Sequence, residues 1–135
     1  MSESLQHQQL VKQILNYTIN LVGEDKKSQI ATDTANSTIA PPLTQEGYRP
    51  DLYYNSGEML IIGEAKTSDD IEREHSRKQY ESYIRKCSLF PGQSILVFAV
   101  PWMDHATLHN IVTRIRKHYP GTYTIKILDG IGGAI

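Results

Sequence analysis

Cysteine is nearly absent. The 135-residue chain has one, Cys87, so no internal disulfide can form and the sequence fits a reducing compartment. Long apolar runs are missing: none approaches the roughly 20 residues that cross a bilayer, and 1–13 carries no apolar core of a secretory leader. A soluble, cytoplasmic protein with no membrane segment is expected. An excess of one charge is missing too. Fourteen Lys and Arg face 15 Asp and Glu, a formal net charge of −1, which argues against a protein that coats nucleic acid by bulk electrostatics, so any such contact must be local. The five histidines, His7, His75, His105, His109 and His118, show no zinc-ligand spacing and read as surface residues; His105 with His109 lacks the glutamate of a zincin helix. There is no internal repeat and no low-complexity tract.

What is present suits one α/β domain over 1–135, long enough to bury a core without a metal staple. Leu10, Ile14, Tyr17, Thr18 and Leu21 recur at helical spacing within 5–22, with Gly23 as the stop. A short strand is expected in 28–33, then a polar loop through Pro41 and Pro42. Two extended runs, 49–54 and 59–67, flank Asn55, Ser56 and Gly57 and predict an antiparallel hairpin. Met59 to Ile62 is continuously apolar, as a strand in a sheet interior should be. Thr67, Ser68, Asp69 and Asp70 offer caps to a following helix whose stripe is Ser76, Gln79, Tyr80, Tyr83, Ile84 and Cys87. A central strand over 94–100, a helix capped by Asp104 with the stripe Leu108, Ile111, Val112, Ile115 and Tyr119, and a last strand over 123–128 complete the order αβββαβαβ on a mixed sheet. Gly130, Gly132 and Gly133 read as a tail.

The chemistry concentrates on that hairpin. Asp51 lies on its first strand, and Glu64 and Lys66 close its second; two residues apart in a strand, they leave the same face while Ala65 faces the other way. Two carboxylates converging at a sheet edge form an oxygen site for Mg²⁺ or Mn²⁺. A neighbouring ammonium can then position water or steady charge on a phosphate. A bare acidic-x-Lys triplet has little weight in ordinary composition, and a surface salt bridge at a strand end is the bland alternative. What lifts it is Pro50-Asp51 upstream, the intervening turn, the apolar strand leading into Glu64 and the helix that follows.

Together, Pro50-Asp51 and Glu64-Ala65-Lys66 resemble the signature of the PD-(D/E)XK nuclease superfamily, the restriction-endonuclease-like fold, whose αβββαβ core corresponds to 5–100, followed here by an extra helix and strand. Gln79 with Tyr83 resembles the Q-x-x-x-Y motif of its helicase-linked exonuclease branches. The resemblance implies that Asp51, Glu64 and the Ala65 carbonyl ligate Mg²⁺ or Mn²⁺, and that Lys66 serves the attacking water. Where many members place a glutamate on the first helix, 5–22 has no carboxylate; Glu3, Gln8 and Gln9 are the nearby polar groups, which favours one-metal hydrolysis.

Gln79 shares the stripe that faces the sheet, so its amide needs a partner: Lys66, a metal-bound water or substrate phosphate on the functional reading, backbone on the structural one. Tyr83 on the same stripe reads more as core than as site. Arg73, Arg77 and Lys78 on the helix after the motif, and Arg49 before Pro50, are candidate phosphate contacts; Glu72, Glu74 and Glu81 offset the former group. Arg85 extends that basic face, and Arg49 could instead pair with Glu46 or Asp51. Cys87 reads as core, not as a nucleophile. The expectation is a metal-dependent nuclease hydrolysing phosphodiesters of DNA, endo or exo unresolved, acting with a second copy or a partner subunit. The alternative is an inert nucleic-acid-binding or scaffold module with the same fold.

Overall fold

The computed structural model describes residues 4–34, 37 and 39–130. Helix α1 (Leu5–Val22) leads through a 3₁₀ turn (Glu24–Gln29) to β1 (Ala31–Thr32), then β2 (Leu52–Asn55), β3 (Met59–Ala65), α2 (Glu74–Leu89), β4 (Gln93–Ala99), a 3₁₀ turn (Trp102–Asp104), α3 (His105–Arg116) and β5 (Thr124–Leu128). The five strands form one mixed sheet in sequence order, antiparallel from β1 to β3 and parallel from β3 to β5. The expected element order and mixed sheet are observed. No helix among the described residues is long and apolar enough to cross a membrane.

Local chemistry accounts for the frame. The β2–β3 hairpin turns at Gly57, whose φ of +91° is open to glycine at little cost. Asn55 Oδ1 accepts from the Gly57 N–H at 2.8 Å and fixes the turn. β3 and β4 are buried on both faces beyond their first residues, which explains their unbroken apolar sequences. One face packs Leu60, Ile62, Leu96 and Phe98 against Tyr80, Tyr83 and Ile84 of α2 and Leu108, Ile111 and Val112 of α3. The other packs Leu52, Ile61, Ala65 and Val97 against Leu10, Val11 and Ile14 of α1. Gly63 lets α1 approach closely: a Cβ there would lie 2.5 Å from Ile14 Cγ2.

Four sequence expectations need correction. Helix α2 begins at Glu74, not within 67–70. Ile71 is buried and its carbonyl accepts from the Tyr80 hydroxyl at 2.9 Å, so the chain must first turn inward, and Arg73 occupies the cap position. Asp104 stands at the start of α3 but its carboxylate is no cap; it accepts from the Ser68 hydroxyl. The strand expected over 28–33 shrinks to Ala31–Thr32 because the 3₁₀ turn runs to Gln29. Tyr119 lies past the end of α3, and its hydroxyl reaches Glu81 at 2.7 Å. Glu3, Gly132 and Gly133 fall outside the described residues.

The close packing of α1 on β3 gives a first expectation. Gly63→Ala costs about 1–3 kcal/mol, the usual range for overpacking a core, and adding Ile14→Ala to it recovers part of that loss. Urea unfolding of the single and double variants checks this; additive losses would show that the contact is not what limits the site.

Candidate active site

The β2–β3 ladder ends one rung early. Its register pairs Leu52 with Gly63, so the next rung would join Asp51 to Glu64. Side chains take over there: the Asp51 N–H donates to Glu64 Oε1 at 3.2 Å, and Asp51 Oδ2 accepts from the Ala65 N–H at 2.8 Å. Each carboxylate thus occupies a backbone donor of the opposite strand. On the other flank the ladder continues, with the Lys66 N–H donating to the Ala99 carbonyl at 3.1 Å, so β3 stays pinned to β4 where it parts from β2. The Asp51 carbonyl in turn accepts from the Asp33 N–H at 2.9 Å, which ties the opening to the end of β1.

Strand alternation sends Glu64 and Lys66 to the face covered by α2. Lys66 Nζ lies 3.4 Å from Glu64 Oε2 and donates to Gln79 Oε1 on that helix. Asp51, Glu64 and Lys66 are 9%, 4% and 8% exposed, so three ionisable groups meet with little water to screen them. Burial and, after it, the charge of Asp51 push the Glu64 carboxyl well above the usual range, against the opposing pull of Lys66. Tyr83 is fully buried below them. Its hydroxyl has no hydrogen-bond partner among the described residues, and burial with the fields of Glu64 and Asp51 pushes its pKa up strongly.

The reading of all five histidines as surface residues fails at His7. Its Nε2 lies 3.3 Å from Asp51 Oδ2, with its side chain about three-quarters buried at 23% exposure. Ser4 caps α1 by accepting from the His7 N–H at 3.0 Å, and this sets the first turn against the opening in the sheet. The signal was present: His7 precedes Leu10 and Ile14 by one and two turns on the buried stripe. The first helix therefore contributes an imidazole where a carboxylate was sought. Gln79, by contrast, stands beside Lys66 as one of the expected alternatives required.

The candidate phosphate contacts stay outside this cluster. Arg49, Arg73, Arg77 and Lys78 are exposed. Arg73 Nε donates to the Asp69 carbonyl and lies 3.4 Å from Asp70, and Arg77 Nε donates to the Glu72 carbonyl. Arg85 pairs with Glu46 at 2.8 Å, holding the loop before Tyr48 to α2, so Glu46, one of the two alternative partners expected for Arg49, is engaged by Arg85. Cys87 is buried, its thiol pushed up to about 12 by desolvation, as suits a core residue.

Among the described residues, no three His, Cys, Asp or Glu side chains converge as a metal cage. The donor set nevertheless suits a hard dication, because Mg²⁺ is commonly held by one or two carboxylates and completed by water. The burial and the neighbouring Asp51 charge that raise the proton affinity of Glu64 are what such an ion would offset. Compared with protein-family models, curated proteins and solved structures, the chain finds no match.

The charge on Glu64 bears on stability. A carboxyl whose folded pKa is raised contributes stability below its unfolded pKa and loses it as pH rises through the folded value. Glu64→Gln stays neutral and keeps an acceptor for the Asp51 N–H. In the absence of divalent metal this variant should melt above the native chain at pH 8, the gap closing as the pH falls towards 4. Calorimetric melting across that range checks it; a lower melting point at pH 8 would mean that the ion pair with Lys66 outweighs burial and the charge of Asp51.

Proposed function

We propose that the chain is a metal-dependent nuclease with a restriction-endonuclease-like core, hydrolysing phosphodiester bonds of DNA. One observation carries the reading. Asp51, Glu64, Lys66 and Gln79 come from three elements to one buried cluster at the end of the sheet, joined by direct contacts. A salt bridge kept only for the fold would not need two carboxylates side by side, since burying like charges together is costly.

On this reading Asp51 and Glu64 hold Mg²⁺ or Mn²⁺ with the Ala65 carbonyl, and His7 orients Asp51 through Oδ2. The ion supplies a polarised water and neutralises phosphate charge when bound. Lys66 holds a proton at Nζ next to that site and steadies negative charge developing on the phosphate. Gln79 keeps Nζ in place through Oε1, an acceptor that cannot titrate. Arg49, Arg73, Arg77 and Lys78 offer phosphate contacts from the surface. A second copy or a partner subunit would extend the small recognition surface of one chain.

Three variants separate the roles. Glu64→Gln should abolish Mn²⁺ binding by calorimetry. Lys66→Ala should retain binding while Mn²⁺-dependent cleavage of DNA falls by a factor on the order of 10² or more, as for loss of a group acting at the reacting centre. Arg73→Ala with Arg77→Ala should weaken affinity for all sequences alike and flatten its salt dependence by about one unit of slope per lost contact. Retained Mn²⁺ binding in Glu64→Gln rejects the site. Absence of cleavage of circular, linear and single-stranded DNA alike with either metal, in a chain that still binds DNA, favours the inert binding module.

A further inference from the structure

From His105 to Leu128 the chain carries no carboxylate. Arg114, Arg116, Lys117 and Lys126 give this stretch a formal charge of +4 in a protein of net −1, so the remainder carries −5. The net positive charge of a near-neutral chain is therefore confined to α3, β5 and the turn between them. Elsewhere cations are spent on neighbours: Arg73 lies 3.4 Å from Asp70, and Arg85 2.8 Å from Glu46. Arg114 and Lys117, three apart on α3, are exposed, and among the described residues their side chains make no hydrogen bond or ion pair. A solvated basic helix face is common, and what distinguishes this one is the groove beside it.

Between α3 and the edge strand β5 runs a groove of about 260 Å³, lined on the helix by His109, Thr113 and Arg116 and on the strand by Ile125 and Ile127. Steps of four and three put the three helical residues on one face. The guanidinium of Arg116 lies 4.5 Å from the centroid of the buried Tyr123 ring and donates one N–H to the Tyr123 carbonyl. Its plane is thereby fixed, and its other N–H donors are uncommitted. The Thr113 hydroxyl and the His109 ring nitrogens likewise make no hydrogen bond among the described residues. Asp129, the nearest carboxylate in sequence, is taken by His105 at 2.8 Å. An immobilised cation beside spare neutral donors, with no carboxylate to satisfy it, matches an anion with several acceptor oxygens, as a phosphate is.

A second copy paired edge to edge is a poor occupant, because Lys126 at the centre of β5 would face its own counterpart. The sheet register relates the groove to the buried cluster. Glu64, Phe98 and Ile127 share one rung across β3, β4 and β5, so two strand spacings, about 10 Å, separate Ile127 from the Glu64 backbone. That span is about three nucleotides of rise along a strand. We infer that the groove between α3 and β5, with Arg114 and Lys117 on the adjacent face of α3, holds the phosphodiester backbone of the nucleic acid presented to the Asp51–Glu64–Lys66 cluster. This rests on the nuclease reading for its polymer, and adds to the α2 contacts a grip that no carboxylate offsets.

The test follows a labelled oligo-dT strand binding to the full chain in EDTA, where no cleavage occurs, over a series of NaCl concentrations. Arg114→Gln with Lys117→Gln should flatten the salt dependence by about 0.7 units of slope per lost contact on a single strand. Arg116→Gln should bind about 10- to 100-fold more weakly, the range for losing a hydrogen bond to a charged group, and Arg116→Lys should recover only part of that, since it keeps the charge without the fork. An oligo-dT strand with a neutral methylphosphonate backbone should bind the native chain weakly and be indifferent to Arg116→Gln. Thermal melting identifies any loss of folding in Arg116→Gln, which also releases Tyr123; the exposed Arg114 and Lys117 pair then carries the test.

Native affinity and salt slope in the Arg114 and Lys117 double variant overturn the proposal, as does a methylphosphonate strand bound as tightly as the phosphodiester. Displacement of the strand by poly-glutamate at equal charge would assign the face to acidic polypeptides, and displacement by inorganic phosphate at constant ionic strength would assign it to a free anion; either result overturns it. Cleavage in Mn²⁺ at native KM by these variants removes the groove and leaves the nuclease reading. Loss of affinity in them, with no cleavage by the native chain under any metal, removes the nuclease reading and leaves a groove that binds the nucleic-acid backbone.

Discussion

The site depends on a rung that the β2–β3 ladder does not make. Ordinary pairing would continue from Leu52–Gly63 to Asp51 and Glu64, and both side chains would then lie on a closed sheet. Instead each carboxylate takes a backbone N–H of the other strand, so the strands part while no donor involved is left without a partner. Pro50, which has no N–H to offer a further rung, stands just before the opening. The parting could loosen the sheet, but β3 stays bonded to β4 through Lys66 and Ala99. A rigid strand with one open flank is what a group of mutually repelling charges requires, because the geometry does not have to be assembled when a ligand arrives.

The electrostatics follow from that opening. Burial and the charge of Asp51 disfavour the charged form of Glu64, and the only ammonium in direct contact with it among the described residues is Lys66. Lys66 is itself held by Gln79, a neutral acceptor, so it gains a fixed position without a third carboxylate competing for its charge. Tyr83 belongs to the core between the sheet and α2, and its buried hydroxyl has no hydrogen-bond partner among the described residues. On the opposite face, the absent Cβ of Gly63 brings α1 close, and the first turn of the same helix delivers His7 to Asp51. Packing and chemistry are therefore coupled through a single helix: moving α1 away from β3 would also withdraw the imidazole.

Much of this was legible in the sequence, for particular reasons. Glu64 and Lys66 share a face because a strand alternates, and Gln79 meets them because it lies on the buried stripe of α2, one turn before Tyr83. Those inferences need only the period of each element. The start of α2 was misjudged because capping residues at 67–70 are a local signal, whereas burial of Ile71 is a tertiary one and prevailed. His7 was missed for a related reason. Its place on the stripe of Leu10 and Ile14 says only that it faces the sheet; what it meets there depends on α1 beginning beside the opening between β2 and β3. The spacing of Arg73 and Arg77 was equally silent about their surroundings, since each is exposed and donates to a carbonyl of the preceding segment.

Parallel pairing explains why the chemistry gathers at one edge. β3, β4 and β5 run the same way, so the segments that follow them emerge together: Lys66 to Ser68 after β3, Pro101 to Asp104 after β4 and Asp129 after β5. Cross-links join these segments, Ser68 to Asp104 and Asp129 to His105 at 2.8 Å, so the edge is a braced surface and not a set of independent loops. Helices α2 and α3 both begin there, presenting N-terminal backbone donors to the same region. The carboxyl ends of parallel strands are the common location of ligand sites in α/β sheets, because the connections there can vary while the strands beneath hold them. In this chain that edge carries the buried charged cluster. The hairpin turn at Gly57 lies at the opposite end of β3, so it sets the register that positions the charges without entering their surroundings.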